Sequence, residues 1–117
     1  MKWFVVKGFK FKTATHSYRP HGWGNGYVAV PPSHPLWGID YGNVDLRLDV
    51  HGGLTYSELK VPYMTGKGFP DIPNNYWIFG FDTSHWDDTL KKWPKKAVEV
   101  ETKRLFCQLM DIEIGGL

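Results

Sequence analysis

The sequence has little cysteine and no long apolar run. Its one cysteine, Cys107, cannot close a disulfide within the chain, and there is no Cys-x-x-Cys pair for zinc. The longest apolar run near the start, residues 3–6, is much too short for a membrane span or for the apolar part of a signal peptide. We therefore expect a cytoplasmic protein that has no membrane partner.

The sequence also lacks several well-known motifs of nucleotide-binding proteins and hydrolases. It contains neither a P-loop nor a Rossmann fingerprint, and without a Gly-x-Ser-x-Gly segment a serine triad is not favoured. Its 117 residues carry no internal repeat and predict a single domain, residues 1–117. The formal net charge of +2 is lower than is usual for a nucleic-acid binder of this size, so we expect no extended nucleic acid as a partner.

Aromatic and turn-forming residues are abundant instead. With 7 Phe, 6 Tyr, 6 Trp, 13 Gly and 8 Pro, the composition argues against a coiled coil or a helical bundle and predicts short strands joined by many turns. Alternating or continuous apolar residues predict strands over residues 2–13, 27–30, 43–51, 54–58 and 76–81.

The C-terminal part of the chain has a helical pattern. After Pro94, which suits the first position of a helix, one apolar stripe contains Val98, Leu105, Leu109 and Ile112. The expected fold is therefore α+β, a mostly antiparallel sheet with one long C-terminal helix packed on it.

The charges are unevenly distributed. Residues 1–39 hold five basic side chains and no acidic one, whereas residues 40–117 hold nine basic and 12 acidic ones. A basic edge of this kind attracts a ligand that carries phosphate. An edge strand protected by lysines is the alternative interpretation.

One group of reactive residues follows the predicted strand 43–51. The alternation places His51 at the strand end, on its polar side, directly before Gly52 and Gly53. Two glycines allow a close approach of the backbone to a ligand and expose N–H groups, which together with the hydroxyl of Thr55 suit a phosphate. A bulge or a tight turn at the glycines is the alternative.

A second group follows the predicted strand 76–81. Asp82 and His85 come directly after this buried strand, where a rigid backbone can hold a catalytic pair. A carboxylate beside an imidazole orients the ring and raises its basicity, as a general base requires. In the alternative interpretation, Asp82 only caps the turn that follows it.

The same residue types include metal ligands. Asp82, His85 and His51, with His34 as a further candidate, have suitable donor atoms. Their spacing matches no compact metal motif, so we predict no metal and no other cofactor. A metal site remains the alternative.

Several segments together resemble a family of small proteins, without an assigned activity, that phages and prophages encode. They are Gly26-Tyr27-Val28, Val30-Pro31, His34-Pro35, Gly38, Tyr41, residues 50–56 and Gly80-Phe81-Asp82 with His85 and the pair Asp87-Asp88. The specific parts are His-Gly-Gly-Leu-Thr and Gly-Phe-Asp-x-x-His. The resemblance covers roughly residues 26–110. After His85 the chain departs from the family pattern, because Trp86 and two aspartates stand where a small residue and one Asp are expected, so the role of either Asp is open.

The resemblance implies a setting, the cytoplasm of an infected bacterium, and by analogy a protein that counters host defence. The first hypothesis is phosphodiesterase-like cleavage of a cyclic nucleotide immune signal, with His51 and His85 as general acid and base and Asp82 orienting His85. Thr55 and the amides of Gly52 and Gly53 would hold phosphate oxygens. The other candidate ligand contacts are Tyr56, His34, Tyr41, Trp86 and Asp88.

Two alternatives remain open at this point. One is a protein without catalytic activity that sequesters a cyclic nucleotide or an ADP-ribose-type signal. The other is an inhibitor that binds a host defence enzyme. A homodimer is compatible with each of these functions.

Overall fold

The computed structural model describes residues 4–10, 21–44, 48–62 and 69–115. Its strands are β1 (Phe4–Lys10), β2 (Gly24–Val30), β3 (Tyr56–Leu59) and β4 (Trp77–Phe81). A short 3-10 helix spans Tyr41–Asn43, and the C-terminal helix α1 spans Lys95–Gly115.

The four strands form one antiparallel sheet in the order β1-β2-β4-β3. Strand β4 lies between two neighbours, since Phe79 pairs with Val28 on one side and with Ser57 on the other. This interior position agrees with its continuous apolar sequence, which is typical of a strand covered on both faces. The predicted α+β fold, with one long C-terminal helix, is confirmed.

The two faces of the sheet are covered by different parts of the chain. Alternate residues of a strand point to opposite faces. On one face, Val28 and Phe79 pack in a cluster with residues of α1 that include Val98, Leu105 and Leu109. On the other face, Tyr27, Ala29 and Ile78 pack with Phe69 and Ile72 of the loop between β3 and β4. This loop, whose prolines and glycines predict a surface position, therefore contributes to the core through Phe69 and Ile72.

The alternating segment 43–51 differs from the prediction. Val44, Leu48 and Val50 are buried, as the alternation indicates, and Asp49 is exposed. Nevertheless, the predicted strand is wrong for residues 48–50, which have irregular structure, and residues 45–47 lie outside the described residues.

The reason is that this segment bonds to a helix and not to a strand. The backbone N–H of Asp49 donates to Gln108 Oε1 at 2.6 Å, and its carbonyl accepts from Gln108 Nε2 at 2.8 Å and from the guanidinium of Arg104. An extended chain lying on α1 buries every second side chain just as an edge strand does. Alternation alone cannot distinguish the two arrangements.

The other boundaries differ by a few residues. The predicted strand 54–58 begins only at Tyr56, while β2 begins three residues before the predicted strand 27–30. Of the predicted strand 2–13, residues 4–10 are β1, and the remainder lies outside the described residues. Within the described part of the chain, no helix has the length and apolar character needed to cross a membrane.

Candidate active site

Two loops bring the candidate residues together at one end of β4. The first follows the segment 48–50, and its N–H of Thr55 donates to the carbonyl of Gly80 at 2.9 Å, which ties this loop to β4. The second loop, residues 82–88, continues directly from β4. The predicted groups around His51 and around His85 are therefore neighbours, although 34 positions separate the two residues in the sequence.

The first loop is a tight turn that depends on glycine. The N–H of Gly53 donates to the carbonyl of Val50 at 2.9 Å, so residues 50–53 form the turn. Gly52 has φ +69° and Gly53 has φ +78°, values that residues with a Cβ rarely adopt. A Cβ on Gly52 would also lie 2.5 Å from His85 Nε2, so the glycine lets the histidine of the second loop approach the first.

The second loop is held by its own aspartates. Asp82 Oδ1 accepts from the N–H of Ser84 at 2.9 Å, and Asp88 Oδ2 accepts from the N–H of His85 at 2.8 Å. The N–H of Asp88 in turn donates to the carbonyl of His85 at 3.0 Å. Side-chain oxygens that bind nearby amides are typical of Asp in turns. Asp82 therefore has the capping contact that the alternative interpretation predicts.

The central feature of the site is a carboxylate shared by two histidines. Asp88 Oδ1 lies 2.6 Å from His51 Nε2, and Asp88 Oδ2 lies 3.0 Å from His85 Nδ1. The side chain of Asp88 is 3% exposed, whereas those of His51 and His85 are 23% and 34% exposed. The two rings are nearly perpendicular, with centroids 5.2 Å apart. We call these three residues the His–Asp–His cluster.

The predicted partner of His85, Asp82, has a weaker place in the arrangement. Its Oδ1 lies 3.6 Å from His85 Nδ1, within ion-pair distance but beyond hydrogen-bond distance. Asp88, which was expected only as one of several ligand contacts, is the hydrogen-bonded partner of both rings.

The hydrogen bonds also determine the electrostatics of the cluster. Burial alone would raise the pKa of Asp88, but hydrogen bonds from the backbone and ring of His85 and from the ring of His51, with the charge of His51, lower that pKa overall. An ionised carboxylate only accepts hydrogen bonds, so each neutral ring carries its proton on the nitrogen that faces Asp88. The second nitrogens, His51 Nδ1 and His85 Nε2, are then acceptors.

Residues at the start of α1 hold His51 in place. Its backbone N–H donates to Glu101 Oε2 at 2.7 Å, and Glu101 is itself paired with Arg104 at 2.9 Å. Its ring lies over the ring of Trp93, with centroids 4.1 Å apart and planes 34° apart. The helix therefore forms part of the site.

Sequence reasoning missed these supporting residues. Trp93 lies in the segment Lys-Lys-Trp-Pro-Lys-Lys, residues 91–96, whose four lysines are exposed. A run of four cations around one Trp was the available signal, because it indicates a surface that attracts anions. The role of Glu101 has no such signal, since a contact across 50 residues is not visible in a sequence.

The predicted phosphate contacts fall into two groups. The N–H of Gly53 is used within its turn and that of Thr55 is bonded to β4. Gly52 is exposed, and its N–H makes no hydrogen bond to any residue in the described part of the chain. Of the predicted amides and hydroxyls, the Gly52 N–H and the exposed Thr55 hydroxyl remain suited to a phosphate.

His34 lies elsewhere, buried beside α1. Its Nδ1 accepts from the N–H of Leu36 at 3.0 Å, so its Nε2 carries the proton and donates to the carbonyl of Leu109 at 2.9 Å. Leu109 is eight residues from Glu101, about 12 Å along the helix. The structure does not bring His34 into the His–Asp–His cluster.

The predicted aromatic contacts are also dispersed. Tyr56 packs edge-on against Tyr27, on the sheet face opposite α1, and its hydroxyl donates to Glu58. The N–H of Tyr41 donates to Ser57 Oγ at 3.0 Å beside β3. Trp86 follows His85 directly, so it is the predicted aromatic residue nearest in sequence to the cluster. Its side chain is 85% exposed.

Comparisons of this chain with models of protein families, with curated proteins and with solved structures found no match. The resemblance to phage-encoded proteins therefore stays a prediction, and the site is described by its own geometry.

Proposed function

We propose that the protein is a phosphodiesterase-like hydrolase that cleaves a cyclic nucleotide, acting as a phage-encoded counter-defence protein in the cytoplasm of an infected bacterium. The observation that carries the catalytic part is the buried carboxylate of Asp88, which is hydrogen-bonded to one nitrogen of each imidazole. This arrangement orients two proton-transfer groups around one carboxylate, and in-line chemistry at phosphorus uses one such group at the attacking oxygen and one at the leaving oxygen.

The chemistry uses the second nitrogen of each ring. One histidine accepts a proton from water as the water oxygen bonds to phosphorus. The other, which enters the reaction protonated on both nitrogens, donates the proton of its second nitrogen to the ester oxygen as the P–O bond breaks. Ring centroids 5.2 Å apart are close enough for both histidines to reach oxygens of one phosphate. Asp88 orients both rings and stabilises the imidazolium that forms.

The surroundings supply binding groups for the phosphate. The negative charge of Asp88 opposes an anionic substrate, but the segment 82–96 contains four lysines against three aspartates. The lysines attract a phosphate, while the N–H of Gly52, which bonds to none of the described residues, and the Thr55 hydroxyl offer hydrogen bonds to it. The exposed ring of Trp86 offers a surface on which a base can stack.

Two further functions are tested together with this one. The exposed lysines and Trp86 are binding groups, so they also favour a protein that sequesters the nucleotide without cleaving it. Trp86 and Leu90 are large exposed apolar residues, 85% and 60% accessible, which favours the inhibitor of a host enzyme.

The test is incubation with a panel of cyclic dinucleotides and cyclic ADP-ribose isomers, followed by mass spectrometry before and after heat denaturation. We expect cleavage products, and a loss of roughly 10²–10⁴-fold in rate for His51→Gln and for His85→Gln, the size of a general acid–base contribution. His21→Gln is the matched control, since His21 is not part of the His–Asp–His cluster and its Nδ1 donates to the carbonyl of Gly22 at 2.7 Å.

The other outcomes separate the alternatives. Recovery of intact ligand after heating would contradict hydrolysis and support sequestration. A panel left unbound and uncleaved would contradict both and support a protein target. Equal rates in wild type and in both histidine variants would contradict the roles proposed for His51 and His85.

A further inference from the structure

The donor atoms of the His–Asp–His cluster have the spacing of a metal site. One ring nitrogen of His51, one of His85 and a carboxylate oxygen of Asp88 lie within 4.8 Å of one another. Ligands about 2.0–2.1 Å from a tetrahedral ion lie about 3.3 Å from each other. To reach that spacing, the 2.6 Å contact of Asp88 Oδ1 with His51 Nε2 would open by about 0.7 Å and the 3.0 Å contact of Asp88 Oδ2 with His85 Nδ1 by about 0.3 Å.

The donor types restrict the kind of ion. Two imidazoles and one carboxylate suit zinc and its first-row neighbours, whereas calcium and magnesium prefer ligand sets made of oxygen. Three protein ligands leave a coordination position for water or for a phosphate oxygen, as in catalytic zinc sites. Asp82, whose Oδ1 lies 3.6 Å from His85 Nδ1, stands beside this group.

The ligands are also held before any ion arrives. His51 is fixed by Glu101 and Trp93, and Asp88 Oδ2 accepts from the backbone N–H of His85. These contacts hold the ligands in a fixed orientation, and a fixed orientation raises the affinity for a metal ion. Backbone contacts that position the ligands cost no reorganisation when an ion binds.

We infer that His51, His85 and Asp88 bind one divalent transition-metal ion of the zinc class, through His51 Nε2, His85 Nδ1 and an oxygen of Asp88. The proton that each of these nitrogens carries moves to the other nitrogen of the same ring, so both neutral imidazoles bind without a net change in protons. This site replaces the metal set named from the sequence, in which Asp82 and His34 stood in the place of Asp88.

The consequence for catalysis rests on the proposed function. If the ion is bound during the reaction, His51 and His85 would serve as its ligands in place of the acid and base roles proposed above, and the ion would supply a nucleophile by lowering the pKa of a bound water. Metal binding itself requires no substrate, so it can be measured independently of hydrolysis.

The first experiment is a titration of the full chain, freed of metal by a chelator, with Zn²⁺ in a calorimeter and with Co²⁺ in an absorption spectrometer. We expect one ion per chain and the visible absorption of four- or five-coordinate Co²⁺. Asp88→Asn and His85→Gln should each lose more than roughly 100-fold in affinity, beyond the effect of removing a supporting contact. Asp87→Asn, the neighbouring exposed carboxylate, should bind as the wild type does.

The second experiment uses the unaltered protein, so it does not depend on the folding of a variant. In NMR spectra of the histidine side chains, saturating Zn²⁺ should shift the ring nitrogens of His51 and His85 and leave those of His34 in place. Absence of binding, equal binding in Asp87→Asn and Asp88→Asn, or shifts confined to other histidines would each overturn the inference.

The two proposals can fail separately. Zinc binding at the cluster without cleavage of any nucleotide would uphold the metal site and contradict the hydrolase. Cleavage that continues in chelator, by protein that binds no Zn²⁺, would uphold the hydrolase and overturn the metal site.

Discussion

At the scale of single residues, Asp88 and its neighbour Asp87 show how little the local pattern reveals about which carboxylate belongs to the site. Asp87 is exposed, while Asp88 turns inward and accepts hydrogen bonds from two rings and one backbone amide. The choice depends on the turn at residues 85–88, closed by the bond from the Asp88 N–H to the His85 carbonyl. Sequence spacing predicted that this loop is reactive but could not determine which aspartate faces His51.

Tyr27 provides a residue-scale prediction about pH. Burial raises the pKa of Tyr27 to about 12 from 10.0, an effect opposed by the hydrogen bond from Asn25 and increased by the charge of Asp82. The folded state therefore holds this proton more tightly than the unfolded state. Its contribution to stability is complete below pH 10 and should be lost as the pH rises from 10 to 12.

The measurement is denaturant unfolding at a series of alkaline pH values. Tyr27→Phe should flatten the decline in the free energy of unfolding, and the exposed Tyr41→Phe should leave it unchanged. Burial also raises the pKa of Tyr56, so Tyr56 contributes to the decline that remains. An identical decline in wild type and Tyr27→Phe would contradict this assignment.

At the scale of elements, the sequence predicted correctly those elements whose own apolar residues specify how they are buried. It failed where the pattern has more than one structural cause. Strand β4 and helix α1 were predicted because their own apolar residues specify burial on both faces or along one stripe. The segment 48–50 was wrongly predicted because its alternation records burial against α1 and not pairing with a strand. The site could be predicted only as two reactive loops, since the pairing of β3 with β4 and the anchoring by α1 bring them together.

The turn at residues 50–53 gives a prediction with a built-in control. Gly52 and Gly53 both have positive φ, but only a Cβ on Gly52 would meet the ring of His85, whereas one on Gly53 has open space around it. Gly53→Ala should lower the free energy of unfolding by about 1–2 kcal/mol through backbone strain alone. Gly52→Ala adds a steric overlap that costs about 1–3 kcal/mol more.

The two variants should differ even more in the function of the site. Displacement of His85 in Gly52→Ala should weaken both Zn²⁺ binding and nucleotide cleavage, while Gly53→Ala should retain both. Denaturant unfolding and zinc titration of the two proteins are the measurements. Equal zinc affinities would show that Gly52 does not control the position of His85.

At the scale of the whole molecule, helix α1 holds the connection between β2 and β3 as well as covering the sheet. Along its length, Glu101 binds the backbone of His51, Gln108 binds that of Asp49, and the carbonyl of Leu109 accepts from His34. Thr102 approaches Gly26 so closely that a Cβ there would overlap its hydroxyl. The helix thus connects the site to the core.

A variant of His34 tests whether the stability of the fold and the zinc affinity of the His–Asp–His cluster can be changed independently. His34→Ala removes a buried ring and leaves the N–H of Leu36 and the carbonyl of Leu109 without these partners. We expect a loss of about 2–4 kcal/mol in the free energy of unfolding, with unchanged zinc affinity at a temperature where the variant is folded. Thermal unfolding and zinc titration are the measurements, and His21→Ala is the control for a less buried histidine.

A reduced zinc affinity in folded His34→Ala would contradict the separation between this histidine and the cluster.

The homodimer considered from the sequence also belongs to this scale. It stays a prediction, and sedimentation of the wild-type protein tests it.

The stacking of His51 on Trp93 allows the state of the site to be followed by tryptophan fluorescence. An imidazolium ring in contact with an excited indole accepts an electron from the indole and quenches the indole fluorescence. A neutral or metal-bound imidazole quenches that fluorescence to a different extent. With ring centroids 4.1 Å apart, the emission of Trp93 should therefore report the state of His51. Replacing the other five tryptophans with phenylalanine would turn the chain into a fluorescent sensor of its own His–Asp–His cluster.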